Sequence, residues 1–154
     1  MMNKLTLNLV PSTMWYLNLR KILTNKSWKN LTTECFNLSN NVCEICGMTG
    51  IYNNGKIKLE CHEEWEFDEV NKIQKLKKLL ALCVMCHRTK HAGLWFLKGK
   101  RDSIIKHLMF VNKLSKIEAI DLVNKEFINF EERSQFYWNL DIKIIKNNPL
   151  FEIK

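Results

Sequence analysis

The chain has 154 residues, 46% of them hydrophobic, and 24 Lys and Arg against 16 Asp and Glu leave a net charge of +8. That length and apolar content suit one packed domain and exclude a disordered chain, while the positive balance favours a polyanionic partner, nucleic acid foremost. The longest apolar run, Leu79 to Cys86, is too short to span a bilayer, and Thr6 and Asn8 break any signal-peptide core near the start. No membrane association is expected. The expected setting is intracellular and cytoplasmic, of bacterial or phage type, with the six cysteines reduced or metal-bound rather than disulfide-paired.

Leu5 to Val10 alternates apolar and polar residues and predicts a short strand. Pro11 and Ser12 end it, and Ser12 or Thr13 caps a helix through Leu23. Ser27 caps a second helix with Trp28, Leu31, Cys35 and Leu38 on one face; Asn40-Asn41 stops it. Cys35 reads as a small buried hydrophobe. Gly47 and Gly50 keep the Cys43-x2-Cys46 turn tight. Asn53-Asn54-Gly55 is a hairpin signal, and Lys56 to Glu60 alternates as a strand that ends at Cys61-His62.

Glu63, Glu64, Glu66, Asp68 and Glu69 read as a solvated acidic loop, with Glu64 or Asp68 as an alternative carboxylate ligand. Ile73, Leu76, Leu79 and Leu80 are spaced as a helical turn or an irregular core segment. Cys83-x2-Cys86 makes a second cysteine turn and opens a helix carrying His87 and His91. Lys98 to Arg101 is a basic loop, and Asp102 or Ser103 caps a helix to about Val111. Ser115-Lys-Ile-Glu118 is a capping box that opens a long amphipathic helix to about Ser134. Trp138 to Ile145 alternates again and is a candidate to pair with the N-terminal strand.

Two C-x2-C turns, Cys43 with Cys46 and Cys83 with Cys86, offer the four soft ligands of a structural zinc site. His87 and His91 stand four apart, so one helix face brings both imidazoles to one ion; the alternative is a pair of surface histidines. The cysteine turn fixes the first turn of that helix and thereby His87. His62, brought opposite His87, can take a proton from a water attacking a phosphodiester; the alternative is a bystander at a strand end. With Cys61 assisting, the three histidines form a candidate second, reactive metal site. Of the basic residues, Arg88 and Lys90 flank His87, and Lys98, Lys100 and Arg101 follow; all five are candidate phosphate contacts, against the alternative of ordinary solvated cations. The tryptophans and phenylalanines read as core rather than as base-stacking platforms.

Three segments carry a family resemblance: Cys43-Glu-Ile-Cys46-Gly47, Glu60-Cys61-His62-Glu63, and Leu82-Cys83-Val-Met-Cys86-His87-Arg-Thr-Lys90-His91. Together they resemble the H-N-H endonucleases, the ββα-metal or His-Me finger nucleases, over about a third of the chain. Asn8 to Pro11, Trp15, Asn18 to Arg20 and Glu60 to Trp65 are similar to small bacterial and phage proteins given the same label. The resemblance implies an α+β fold. Its small ββα-metal core would carry a zinc-ribbon-like clamp of four cysteines, with N- and C-terminal helices and short terminal strands on either side. It also implies a metal-dependent endonuclease acting on DNA. His62 would be the general base, His87 a ligand of a second divalent cation (magnesium, manganese, nickel or zinc), and His91 a further ligand. Two positions depart from the family pattern. Cys61 stands where an Asp or His ligand is usual, and Lys78 near the middle Asn, for which Asn71 substitutes only with a remodelled loop. The alternative function is therefore a catalytically inactive zinc module of the same fold that binds nucleic acid or a protein partner. One domain is expected over 1–154: a strand and helices over 1–42, the zinc-clamped core over 43–97, and a helical extension with a terminal strand over 98–154. The long C-terminal helix is the candidate surface for a protein partner or a second copy.

Overall fold

The computed structural model describes residues 2, 4–48, 51–52 and 56–154. The hairpin turn expected at Asn53-Asn54-Gly55, and Gly50, lie outside them. The chain is α+β. Seven helices are described: α1 Leu19–Ile22, α2 Asn25–Leu38, α3 Val84–Lys90, α4 Ala92–Leu97, α5 Arg101–Asn112, α6 Lys116–Arg133 and α7 Lys143–Lys146. Strands β1 Ile51–Tyr52 and β2 Lys56–Ile57 pair antiparallel. Strands β3 Leu59–Asp68, β4 Ile73–Cys83 and β5 Asn139–Asp141 form a mixed sheet in the order β3-β4-β5.

The long β3–β4 hairpin is the frame, running antiparallel from Leu59 opposite Cys83 to Asp68 opposite Ile73. Its tip is fixed by the Asp68 carboxylate, which accepts from the amides of Val70 and Asn71, and by Lys72 in the left-handed region at φ 52°. Asn71 therefore sits at the far end of the hairpin from His62. A register shift between Glu64 and Trp65 marks a bulge. Beyond β4, Cys83 caps α3, its Sγ accepting from the Cys86 amide, so the chain passes strand, strand, helix in order.

Several expectations are corrected. Leu5 to Val10 is extended but joins no sheet; its alternation instead buries Leu5 and Leu7 under the clamp region while the Asn8 side chain brackets the free edge of β3. The Asn8 amide donates to the Trp65 carbonyl and its oxygen accepts from the Trp65 amide. The helix expected up to Leu23 is a single 3-10 turn, Ser12–Met14, and then α1, capped by Asn18. Helix α2 is capped by Thr24 rather than Ser27, whose hydroxyl donates to the Leu150 carbonyl, and Leu38 is 79% exposed. The acidic segment Glu63 to Asp68 is strand, as is Ile73 to Cys83. The Trp138 to Ile145 segment pairs through β5 with β4, in parallel, rather than with the N-terminus. Helix α5 begins at Arg101, one residue ahead of the expected cap. The capping box at Ser115 and Glu118 is present.

Two apolar clusters flank the hairpin. One joins Leu5, Leu7, Leu80, Leu82, Ile104, Leu108 and Val123 to Cys43, Cys83 and Cys86. The other packs Leu19, Leu23, Leu31, Ile142 and Ile145 against Trp65 and Leu76. No helix among the described residues is long and apolar enough to cross a membrane.

Candidate metal centres

The Cys43–Cys46 turn docks on β4. The Glu44 amide donates to the Ala81 carbonyl and the Glu44 carboxylate accepts from the Ala81 amide at 2.7 Å. That places Cys43 and Cys46 against Cys83 and Cys86, with all four sulfurs within 4.8 Å of one another. Cys46 and Cys83 stand 3.7 Å apart. Ligands about 2.3 Å from a tetrahedral ion lie about 3.8 Å from each other, so the four sulfurs fit a metal ion such as zinc. None of the cysteines is in a disulfide. The neighbouring Cys83 and Cys86 thiols pull Cys43 far down, while burial pushes Cys46 up to about 11 and hydrogen bonding to Cys43 pushes Cys86 up. A packed cluster divides its protons this way because four thiolates repel; a bound cation removes that conflict.

The second centre forms where α3 crosses β3. Alternation places Glu60, His62 and Glu64 on the face toward α3, and Cys61, Glu63 and Trp65 on the other. His87 lies one helical turn before His91, which ends α3 as its cap. The donor atoms of His62, His87 and His91 lie within 4.8 Å of one another. His62 Nδ1 and His91 Nε2 are 3.3 Å apart, close to the separation of two nitrogens bound about 2.0–2.1 Å from one tetrahedral ion.

Carboxylates hold the outer nitrogens of two of these rings. His87 Nδ1 is 2.6 Å from Glu60 Oε2. His62 Nε2 is 3.1 Å from Glu64 Oε2, but out of line for a hydrogen bond, so the contact is electrostatic. Lys90 Nζ completes the chain at 2.9 Å from Glu64 Oε1 and 3.3 Å from Thr6 Oγ1. Burial alone would raise Glu64, yet the His62 ring and the Lys90 ammonium hold it at about 2. Burial pushes His62 down against the pull of Glu64. His91 is pushed down by desolvation and by the neighbouring His62 and His87; because it keeps an exposed edge, solvent moderates that shift. Neutral imidazoles are what a metal ion requires of its ligands, and the Glu60 carboxylate on Nδ1 orients the His87 ring. The donor set therefore fits a divalent cation.

Two sequence candidates fall elsewhere. Cys61, expected to assist the histidines, faces away from them and meets Cys35 of α2, because it neighbours His62 on a strand. Lys90, expected on a phosphate, is 2% exposed and committed to Glu64. Arg88 and Lys98 lie over the same Trp95 ring at 4.1 and 4.6 Å and so sit together beside α3; Arg101 lies 5.6 Å from the Phe96 centroid, and Lys100 is exposed. Sequence reasoning gives no role to Glu60 or His107: Glu60 enters only within the segment that carries the family resemblance, and His107 carries no signal at all. A cavity of about 720 Å³ opens along the free edge of β3, with His91, Glu63, Trp15 and Phe130 in its wall. Comparison with protein-family models, with curated proteins and with solved structures finds no match to this chain.

Proposed function

We propose that the chain is a metal-dependent nuclease hydrolysing phosphodiester bonds of DNA at the histidine centre. The convergence of His62, His87 and His91 within 4.8 Å, on a strand–strand–helix unit pinned by the sulfur cluster, carries this reading. His87 and His91 would hold the cation, with Glu60 orienting His87. Nitrogen ligands favour zinc or nickel over magnesium and manganese. Bound there, a divalent cation supplies stabilisation of the charge that develops on the phosphate and on the leaving oxygen. His62 Nδ1 takes the proton of the attacking water. Glu64, itself held by Lys90, stabilises the resulting imidazolium from the Nε2 side, as a buried carboxylate does for a catalytic histidine. Arg88, Lys98, Lys100 and Arg101 neutralise backbone phosphates.

The 3.3 Å contact between His62 and His91 favours a second reading, with His62 as a third ligand instead of the base. Plasmid nicking across magnesium, manganese, nickel and zinc tests both. Wild type is expected to nick, and His62→Ala to lose about 10²- to 10⁴-fold of the rate. A cation retained by His62→Ala marks a base; a cation lost marks a ligand. A folded, zinc-loaded wild type inert with every ion overturns the nuclease and leaves a non-catalytic module that binds nucleic acid or protein.

A further inference from the structure

We propose that His107 belongs to the structural metal centre as a positioning residue, its Nε2–H donating to the Cys86 thiolate and tying α5 to the clamp. This rests on the sulfur cluster binding a metal ion and is independent of the nuclease reading.

His107 is 9% exposed, in the middle of α5, among Ile104, Ile105 and Leu108 of the clamp-side core. A polar ring in that setting needs a partner. It has one: Nε2 lies 3.2 Å from Cys86 Sγ, across 21 residues of chain. The direction of the bond follows from the chemistry. A metal-bound thiolate carries no proton and only accepts, so the hydrogen must sit on Nε2.

Four thiolates around one divalent ion leave a net negative charge in a buried site, and donors to sulfur offset it. The turn backbone already supplies one, since the Cys86 amide donates to Cys83 Sγ. Cys86, wholly buried, receives its donor from a different element. His107 is not itself among the four groups whose donor atoms converge, which makes it a partner of a ligand rather than a ligand. The consequence is structural coupling: helix α5, which begins with the basic Arg101, is held in register with α3 through one sulfur.

The first test uses wild type reconstituted with a spin-active cadmium isotope and isotope-labelled imidazole nitrogens. A scalar coupling between cadmium and the His107 Nε2 proton, relayed through sulfur, is expected. Its absence overturns the proposal, as does a large direct cadmium–nitrogen coupling, which would make His107 a ligand. The second test is chelator competition on zinc. His107→Phe is expected to lower zinc affinity about 10- to 100-fold and to shift the thiolate charge-transfer band of the cobalt form. His107→Gln, which keeps a donor, is expected to restore part of both. An unchanged affinity and an unchanged cobalt spectrum in a folded His107→Phe also overturn it. Should His107→Phe fail to fold, the cadmium measurement on wild type still decides.

Discussion

Lys90 owes its role to its surroundings. Buried and bonded to Glu64 and Thr6, it is the cation that, with the His62 ring, keeps the Glu64 carboxylate ionised. Lys90→Ala leaves that carboxylate without its partner, and a loss of about 3 kcal/mol in denaturant unfolding is expected; Lys90→Met with Glu64→Leu should recover much of it, because the pair is replaced rather than broken. No recovery in the double variant would mean that the ion pair does more than satisfy itself. Glu63 gives a pH prediction. It faces the opposite side of β3, accepts from the Leu19 amide at 3.1 Å, and burial pushes its carboxyl up to about 7. A folded value above the unfolded one, near 4.5, means the native state holds the proton longer, so the associated stability is full below about 4.5 and is lost as pH rises through about 7. Unfolding midpoints of Glu63→Gln should show a shallower decline over that window than wild type; identical slopes would exclude Glu63 as the source.

At the scale of elements, the starts of α3 and α6 are legible in the sequence, whereas the caps of α2 and α5 and the long strands are not. Ser115 and Glu118 spell a capping box, and both reciprocal bonds are present. Ser115→Ala is therefore expected to cost about 1 kcal/mol, read from unfolding of the variant against wild type. Cys83 and its turn are equally plain, since a C-x2-C spacing dictates local geometry. Strand β4 escapes a sequence reading because its pattern is not that of a one-sided strand. Gln74 and Leu76 point inward while Lys75, Lys77 and Lys78 stay out, but from Leu80 to Cys83 every residue is buried. There the strand lies between the β3 partner, the cysteine turn and the helices, so both faces are covered and alternation disappears. The bulge at Glu64 and Trp65 shifts the phase opposite it. Strand β3 escapes because carboxylates are poor strand formers. What compensates them is tertiary: Lys90 for Glu64, the α1 amides for Glu63, His87 for Glu60. The face toward α3 follows from the same alternation that turns Cys61 away. The histidine centre is thus readable as a residue set, while its membership depends on a strand running through His62 instead of ending there.

The molecule as a whole is two cores on one hairpin, and the two candidate metal centres bear on them unequally. Cys43, Cys83 and Cys86 are members of the first core, in contact with the residues that pack α3, α4 and α5. The histidines sit at the crossing of β3 and α3, which Lys90, Glu64 and the hairpin hold by contacts of their own. Binding energy in a cysteine site of this type is folding energy, on a scale of about 10–16 kcal/mol for structural zinc. A cation on the histidine centre, if the proposed function holds, would add only to a scaffold already formed. A stepwise chelator titration should therefore remove a weaker ion first, abolishing any metal-dependent cleavage with little change in amide exchange. A second stage, removing the thiolate-bound ion, should expose α3, α4 and α5 to exchange before α2 and β5, because Trp65, Leu76, Leu31 and Ile142 form a separate core without sulfur ligands. Cys43→Ser should reproduce the second stage without chelator. Simultaneous loss of protection on both sides of the hairpin would show instead that the two cores fold as one cooperative unit, with the sulfur cluster holding both.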